Sequence, residues 1–154
     1  MKTTVVVVDG MGGGIGVQLI GKLKEIVRGD TEIVALGTNA VATERMVKAG
    51  AHRGATGENA IRVSVSSGDF ILGPIGIVIG NSMMGEITGE MAAAVLAAPG
   101  ERILLPMQQD HFSIAGLEQL PLVKMIDRAL ELFRERLKAK TGGAPPLSSP
   151  PTSA

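Results

Sequence analysis

The sequence predicts an α/β fold in which a mostly parallel sheet lies between two layers of helices. Three observations carry this. Short apolar, β-branched runs alternate along the chain with stretches of helical period. The first run, residues 3–9 (TTVVVVD), is apolar without alternation, as a strand buried on both faces must be. That run enters a glycine cluster and then a helical pattern, the strand–turn–helix order of a crossover unit.

The elements follow in order. Residues 14–28 carry Ile15, Leu19, Leu23 and Ile26 at helical spacing, and Gly29 with Asp30 closes that helix. Residues 32–36 (EIVAL) form a second strand, stopped by Gly37-Thr38-Asn39. A helix is predicted over 40–49, closed by Gly50, and another over 57–66 with Thr56 as its N-cap. Residues 69–72 (DFIL) read as a strand running into GPIG, and 75–79 as a further strand or a buried loop. A helix over 86–98 ends at Pro99-Gly100. Residues 102–106 (RILLP) form a strand, and 112–115 (FSIA) are a candidate for a short last one. The clearest helix is 121–140, with Val123, Ile126, Leu130, Phe133 and Leu137 on one face and Arg134, Arg136, Lys138 and Lys140 favouring its C-terminal dipole. One three-layer α/β/α domain, Rossmann-like or flavodoxin-like, accounts for residues 1–140. The tail, 141–154 (TGGAPPLSSPPTSA), holds too few apolar residues to bury a core and is expected to be disordered. In such sheets a ligand lies outside the carboxyl ends of the strands, at the switch in strand order.

Composition narrows the function. The 154 residues balance 15 basic against 15 acidic side chains, which gives no electrostatic ground for nucleic acid or an anionic membrane as partner. With no Cys, thiolate chemistry and disulfides are excluded. With no Trp, no Tyr and only Phe70, Phe112 and Phe133, stacking platforms for single-stranded nucleic acid are scarce. The apolar run before Asp9 is too short to span a membrane or act as a signal peptide, so a soluble cytoplasmic protein is expected.

Residues 5–20 (VVVVDGMGGGIGVQLI) concentrate the functional signal. The usual Gly-x-Gly-x-x-Gly register matches Gly10 and Gly12 but meets Ile15 at its third position. Gly10-x-x-x-Gly14-Ile15-Gly16 fits instead, and resembles the glycine turn of the short-chain dehydrogenases/reductases, with Asp9 where that family has threonine. Asp9, Gly10, Gly12, Gly13, Gly14, Ile15 and Gly16 are therefore candidates to cradle a phosphate at a helix N-terminus. The competing reading is a turn that lets a helix pack closely on the sheet. Thr38 and Asn39 are candidates for ribose contacts, or for helix capping. No acid stands at the end of the second strand, because Asp30 and Glu32 precede it. That counts against NAD and leaves NADP open, with Arg45 or Arg53 to meet a 2′-phosphate. Gly73, Pro74, Asn81 and Ser82 lie on loops expected at the same sheet edge.

Catalytic signals are few. The Tyr-x-x-x-Lys pair of short-chain dehydrogenases cannot exist without tyrosine, and no phosphate-binding Gly-Lys-Ser/Thr or Gly-x-Ser-x-Gly elbow occurs. His52 and His111 lack metal-ligand spacing. Asp110-His111, after Gln108 and Gln109, could act as an acid/base pair or form a surface turn. Glu86, placed in the first turn of its helix, reads as a dipole partner before a base. Met83 and Met84 read as core or interface packing, and Thr56, Glu58 and Asn59 as a helix start that could face the crevice.

Taken together, DGMGGGIG, ALGTN, RGATGENAI and GPIGIVIGNSMMGEIT are similar in order and spacing to an uncharacterised family of small bacterial proteins, a domain of unknown function, over residues 2–138. The resemblance implies a Rossmann-like fold and one site built from these loops; it implies no activity. The functional expectation is a nucleotide- or dinucleotide-binding protein, with NAD or NADP the leading cofactor, acting as a sensor or accessory subunit. The alternatives are a small-molecule enzyme with its site at the carboxyl edge, or a non-catalytic assembly protein. Residues 91–98 (MAAAVLAA) are apolar nearly all round, which predicts a homo-oligomer, most simply a dimer.

Overall fold

The computed structural model describes residues 2–107 and 112–142. Five strands, β1 (Thr3–Asp9), β2 (Thr31–Gly37), β3 (Arg53–Thr56), β4 (Phe70–Pro74) and β5 (Glu101–Leu105), form one parallel sheet in the order β3-β2-β1-β4-β5. The helices are α1 (Gly14–Ile26), α2 (Ala40–Ala49), α3 (Glu58–Ser64), α4 (Gly89–Ala97) and α5 (Leu122–Thr141). Alternate residues of β1 enter opposite cores. Val5 and Val7 pack with Leu19, Leu23, Met46, Ile126 and Phe133. Val6 and Val8 pack with Ile61, Val65, Ile77, Met91 and Val95. Thus α1, α2 and α5 cover one face and α3 and α4 the other. This is the three-layer α/β/α arrangement the valine run requires.

The order 3-2-1-4-5 follows from the chain working outward through β2 and β3, then returning beside β1 to lay down β4 and β5. Its far end is pinned at the amino edge of the sheet. Phe133 meets Phe70 edge to face with centroids 5.0 Å apart, and Lys140 reaches Asp69 at 2.9 Å. Asp69 also accepts the Thr4 N–H at 2.8 Å. Burial pushes the Asp69 carboxyl up, but the Lys140 and Thr4 hydrogen bonds outweigh it and hold the group below its usual value.

The structure adds one strand, decides between two readings of 75–79 and departs from three sequence expectations. Residues 53–56, assigned to no element by the sequence reading, form edge strand β3. Gly54 allows this, since a Cβ there would lie 2.7 Å from Val47 and 2.9 Å from Thr43. Residues 75–78 make a 3₁₀ turn, so the apolar run is buried loop and no strand. Residue 112 takes part in an isolated bridge only, so 112–115 form no strand. Helix α4 begins at Gly89, where the Thr88 hydroxyl accepts the Met91 N–H at 3.1 Å, leaving Glu86 outside the helix. Thr56 likewise does not cap α3. Its hydroxyl donates to Thr43 Oγ1 at 2.8 Å, and Gly57 holds the cap position. His52 lies just before β3, its Nδ1 accepting the Ile33 N–H at 2.9 Å. The predicted tail lies outside the described residues apart from Thr141 and Gly142.

Candidate functional site

At the carboxyl edge, β1 is flanked by β2 on one side and β4 on the other, and the connections leave in opposite directions. The crevice above β1 and β4 is the switch point at which open α/β sheets take ligands. The glycine loop after β1 forms its floor. Gly13 sits at φ 73° as the N-cap of α1, and its N–H donates to the Gly10 carbonyl at 2.8 Å, which closes the turn. Met11 takes φ 52°, unusual for a residue with a side chain.

Asp9 does not face the crevice as an anion awaiting a partner. It is 4% exposed, and its two oxygens accept the N–H groups of Gly10 at 2.8 Å and Gly16 at 2.7 Å. Burial pushes its carboxyl up; the Gly16, Gly10 and Ile15 amides oppose this, and the nearby Glu86 charge adds to the rise. Asp9 therefore occupies first-turn amides of α1 that a phosphate would otherwise use. Among the described residues, the Gly12 and Gly14 N–H groups have no protein acceptor.

Glu86 reaches the other side of the loop. Its Oε1 accepts the Thr38 hydroxyl at 2.5 Å, the Asn39 amide at 2.8 Å and the Met11 N–H at 3.0 Å. The Thr38 bond is the chief cause of a carboxyl held below its usual range; burial raises it, and the Asn39 and Met11 bonds lower it further. Asn39 also caps α2, its Oδ1 accepting the Ala42 N–H at 2.9 Å, and its amide donates to the Met11 carbonyl. Both sequence readings of Asn39, cap and site residue, thus describe one side chain.

Between the loop and the β4 side lies a cavity of about 320 Å³. Asp9, Gly10, Gly12, Gly13, Gly14, Ile15 and Pro74 line it, all of them sequence candidates. Met11, Gln18, Gly76, Met83, Met107 and Leu122 line it as well, and none of these was a candidate. The loops of Met11, Gly76 and Met83 were expected at this edge; Gln18 comes from α1, Met107 follows β5 and Leu122 starts α5, where nothing in the local pattern marks it.

The remaining candidates lie elsewhere. Gly16 faces Met46, whose sulfur would be 2.4 Å from a Cβ, so its lack of a side chain is needed for helix packing. Gly73 lies against the Val8 carbonyl for the same kind of reason. Thr38 and Asn39 surround Glu86 and do not line the cavity. Nor do Asn81 and Ser82. Asn81 stands at φ 69°, and the Ser82 hydroxyl donates to the Gly76 carbonyl at 2.5 Å. Neither arginine suggested for a 2′-phosphate is unengaged. Arg45 donates to the Gly12 carbonyl at 2.5 Å, and Arg53 pairs with Glu32. Glu58 accepts the Thr88 hydroxyl at 2.5 Å. Met84 is 92% exposed, so of its two packing readings the core is excluded. The Gln108–His111 stretch lies outside the described residues.

A family model for a domain of unknown function, DUF3842, matches residues 4–138. The chain belongs to the DUF3842 family. None of the curated proteins matches this DUF3842 chain in sequence. A solved structure similar to it is the dodecameric FMN-dependent UbiX-like decarboxylase from Escherichia coli O157:H7, at 16% identity and a TM-score of 0.51, covering 87% of this chain and 95% of that one. At that identity the likeness establishes a shared Rossmann-like α/β fold and no more. Among the described residues of the DUF3842 chain, no helix is long and apolar enough to cross a membrane, and no three His, Asp or Glu side chains gather as metal ligands would.

Proposed function

We propose that this DUF3842 protein is a soluble, cytoplasmic nucleotide-binding protein, with NAD or NADP the first cofactor to consider. The observation that carries this is the cavity of about 320 Å³ at the switch point, floored by a glycine loop whose Gly12 and Gly14 amides lack acceptors among the described residues. Those amides, at the start of α1, suit a phosphate group. Ile15, Pro74, Met83, Met107 and Leu122 suit the apolar face of a cofactor ring. Among the described residues, Asp9 is the one titratable side chain lining the cavity, and its oxygens are held by loop amides. That favours a sensor or accessory subunit over an enzyme.

Flavin mononucleotide is a second reading. Two amides serve one phosphate more readily than a pyrophosphate, and the UbiX-like decarboxylase of similar fold is described as FMN-dependent.

Calorimetric titration of the purified protein with NAD, NADP and FMN tests both readings. Gly14→Val supplies the site control, because nothing lies within 4 Å of a Cβ built at Gly14. The expected result is binding of at least one of the three, weakened about tenfold or more by the valine, which keeps the phosphate from the amides. No binding at millimolar ligand, or binding indifferent to Gly14→Val, would overturn the assignment.

A further inference from the structure

Strand β2 ends in Gly37 and is followed by Thr38 and Asn39, without the acid that sites of this fold place there to accept ribose hydroxyls. A carboxylate nevertheless stands at that strand end. Glu86 brings it across from the β4–α4 connection, and Thr38, Asn39 and the Met11 N–H fix it through a single oxygen, Oε1. A Cβ on Gly10 would lie 3.3 Å from that oxygen and 2.6 Å from Thr38 Oγ1, so the group sits beside the first glycine of the loop. The second oxygen, Oε2, has no protein partner among the described residues.

The path that delivers Glu86 is strained. Asn81 at φ 69°, Met83 at 56° and Met84 at 55° all adopt the left-handed region with full side chains, and Gly85 follows at 89°. No residue of the Met83–Gly85 turn is fully buried; Met83 packs partly on the core below, whereas Met84 is 92% exposed, so packing accounts for at most one of the left-handed residues of the turn. Strain of this kind gathers at ligand sites, where position matters more than local comfort. Here its result is a carboxylate immobilised on one oxygen and unpartnered at the other among the described residues.

We propose that Glu86 is the ribose-recognising carboxylate of this site, supplied by the β4–α4 connection in place of the missing β2 acid. It selects a nucleotide whose ribose hydroxyls are free over one phosphorylated there. This rests on the nucleotide reading above and refines it. An ionised carboxylate accepts a hydroxyl hydrogen bond and repels a phosphate. Arg45, the residue that could reverse that preference, is engaged by the Gly12 carbonyl. The cofactor the sequence disfavours, NAD, becomes the preferred one.

The test is titration of NAD and NADP into the wild type and Glu86→Gln, with FMN as a third probe. The wild type is expected to bind NAD about tenfold or more tighter than NADP, and Glu86→Gln to weaken NAD while leaving NADP equal or improved. NADP bound as tightly as NAD by the wild type overturns the proposal, and would point to Arg45. Equal loss of both nucleotides in Glu86→Gln also overturns it, because Glu86 would then be only a tether for its loop. Binding of FMN alone removes the ribose assignment but leaves a nucleotide site. Binding of none of the three removes both.

Discussion

Each oxygen of the Asp9 carboxylate has one loop amide to satisfy, Gly10 on one side and Gly16 on the other. Asparagine keeps the shape but turns an NH₂ toward one of these donors. Asp9→Asn should therefore cost about 1–3 kcal/mol, the penalty for a buried donor left unpaired. In a chain of this size that is a drop of roughly 2–12 °C in Tm, measurable by thermal unfolding. The pH dependence has a definite sign. Burial raises the folded pKa of Asp9 above 3.8, so its contribution is fully present below that value and declines as pH rises through the folded pKa. The advantage of the wild type over Asp9→Asn should accordingly grow as pH falls through the raised pKa and level off below 3.8. An advantage that shrinks with acid would show that the loop amides, and not burial, dominate. Asp9 was visible in the sequence as an anomaly at the phosphate cradle. Which loop amides it takes was not, because that depends on how tightly the turn closes.

Helices with a period and a cap were legible as elements: α1, α2 and α5 lie within two residues of their expected bounds. Strand β3 was not, because an edge strand with the sequence RGAT has no alternation to read and takes its conformation from β2 beside it. The start of α4 was misplaced for a related reason. Glu86 resembles a first-turn acid, whereas the cap three residues from Met91 is Thr88, which also joins Glu58 of α3. Thr88→Ala should lower stability by about 1 kcal/mol through the lost cap, read in a urea unfolding curve as a lower midpoint at unchanged slope. A neutral result would mean that the tertiary contacts of α4 alone set its start.

At the scale of the molecule, the α4 surface and the segment after β5 bear on assembly. Met91, Ala92 and Val95 are buried, but Leu96 is 54% exposed, and Val63 of the neighbouring α3 is 66% exposed. Near the cavity, Phe112, Ile114, Leu117 and Val123 are exposed as well. Apolar surface of this kind fits a homo-oligomer, and light scattering at micromolar concentration should give a mass near twice 15.9 kDa. A species of 15.9 kDa would refute the dimer. By itself the sequence determined the class of fold, the order of most elements and the position of the glycine loop, because apolar period, chain direction and glycine freedom are local properties. The tertiary structure alone decided which side chains meet at the carboxyl edge. Asp9 is turned onto an amide seven residues away, and Glu86 crosses to a strand end nearly fifty residues behind it. Such meetings depend on the order of strands in the sheet and on the strained path of a connection, and no local pattern encodes either.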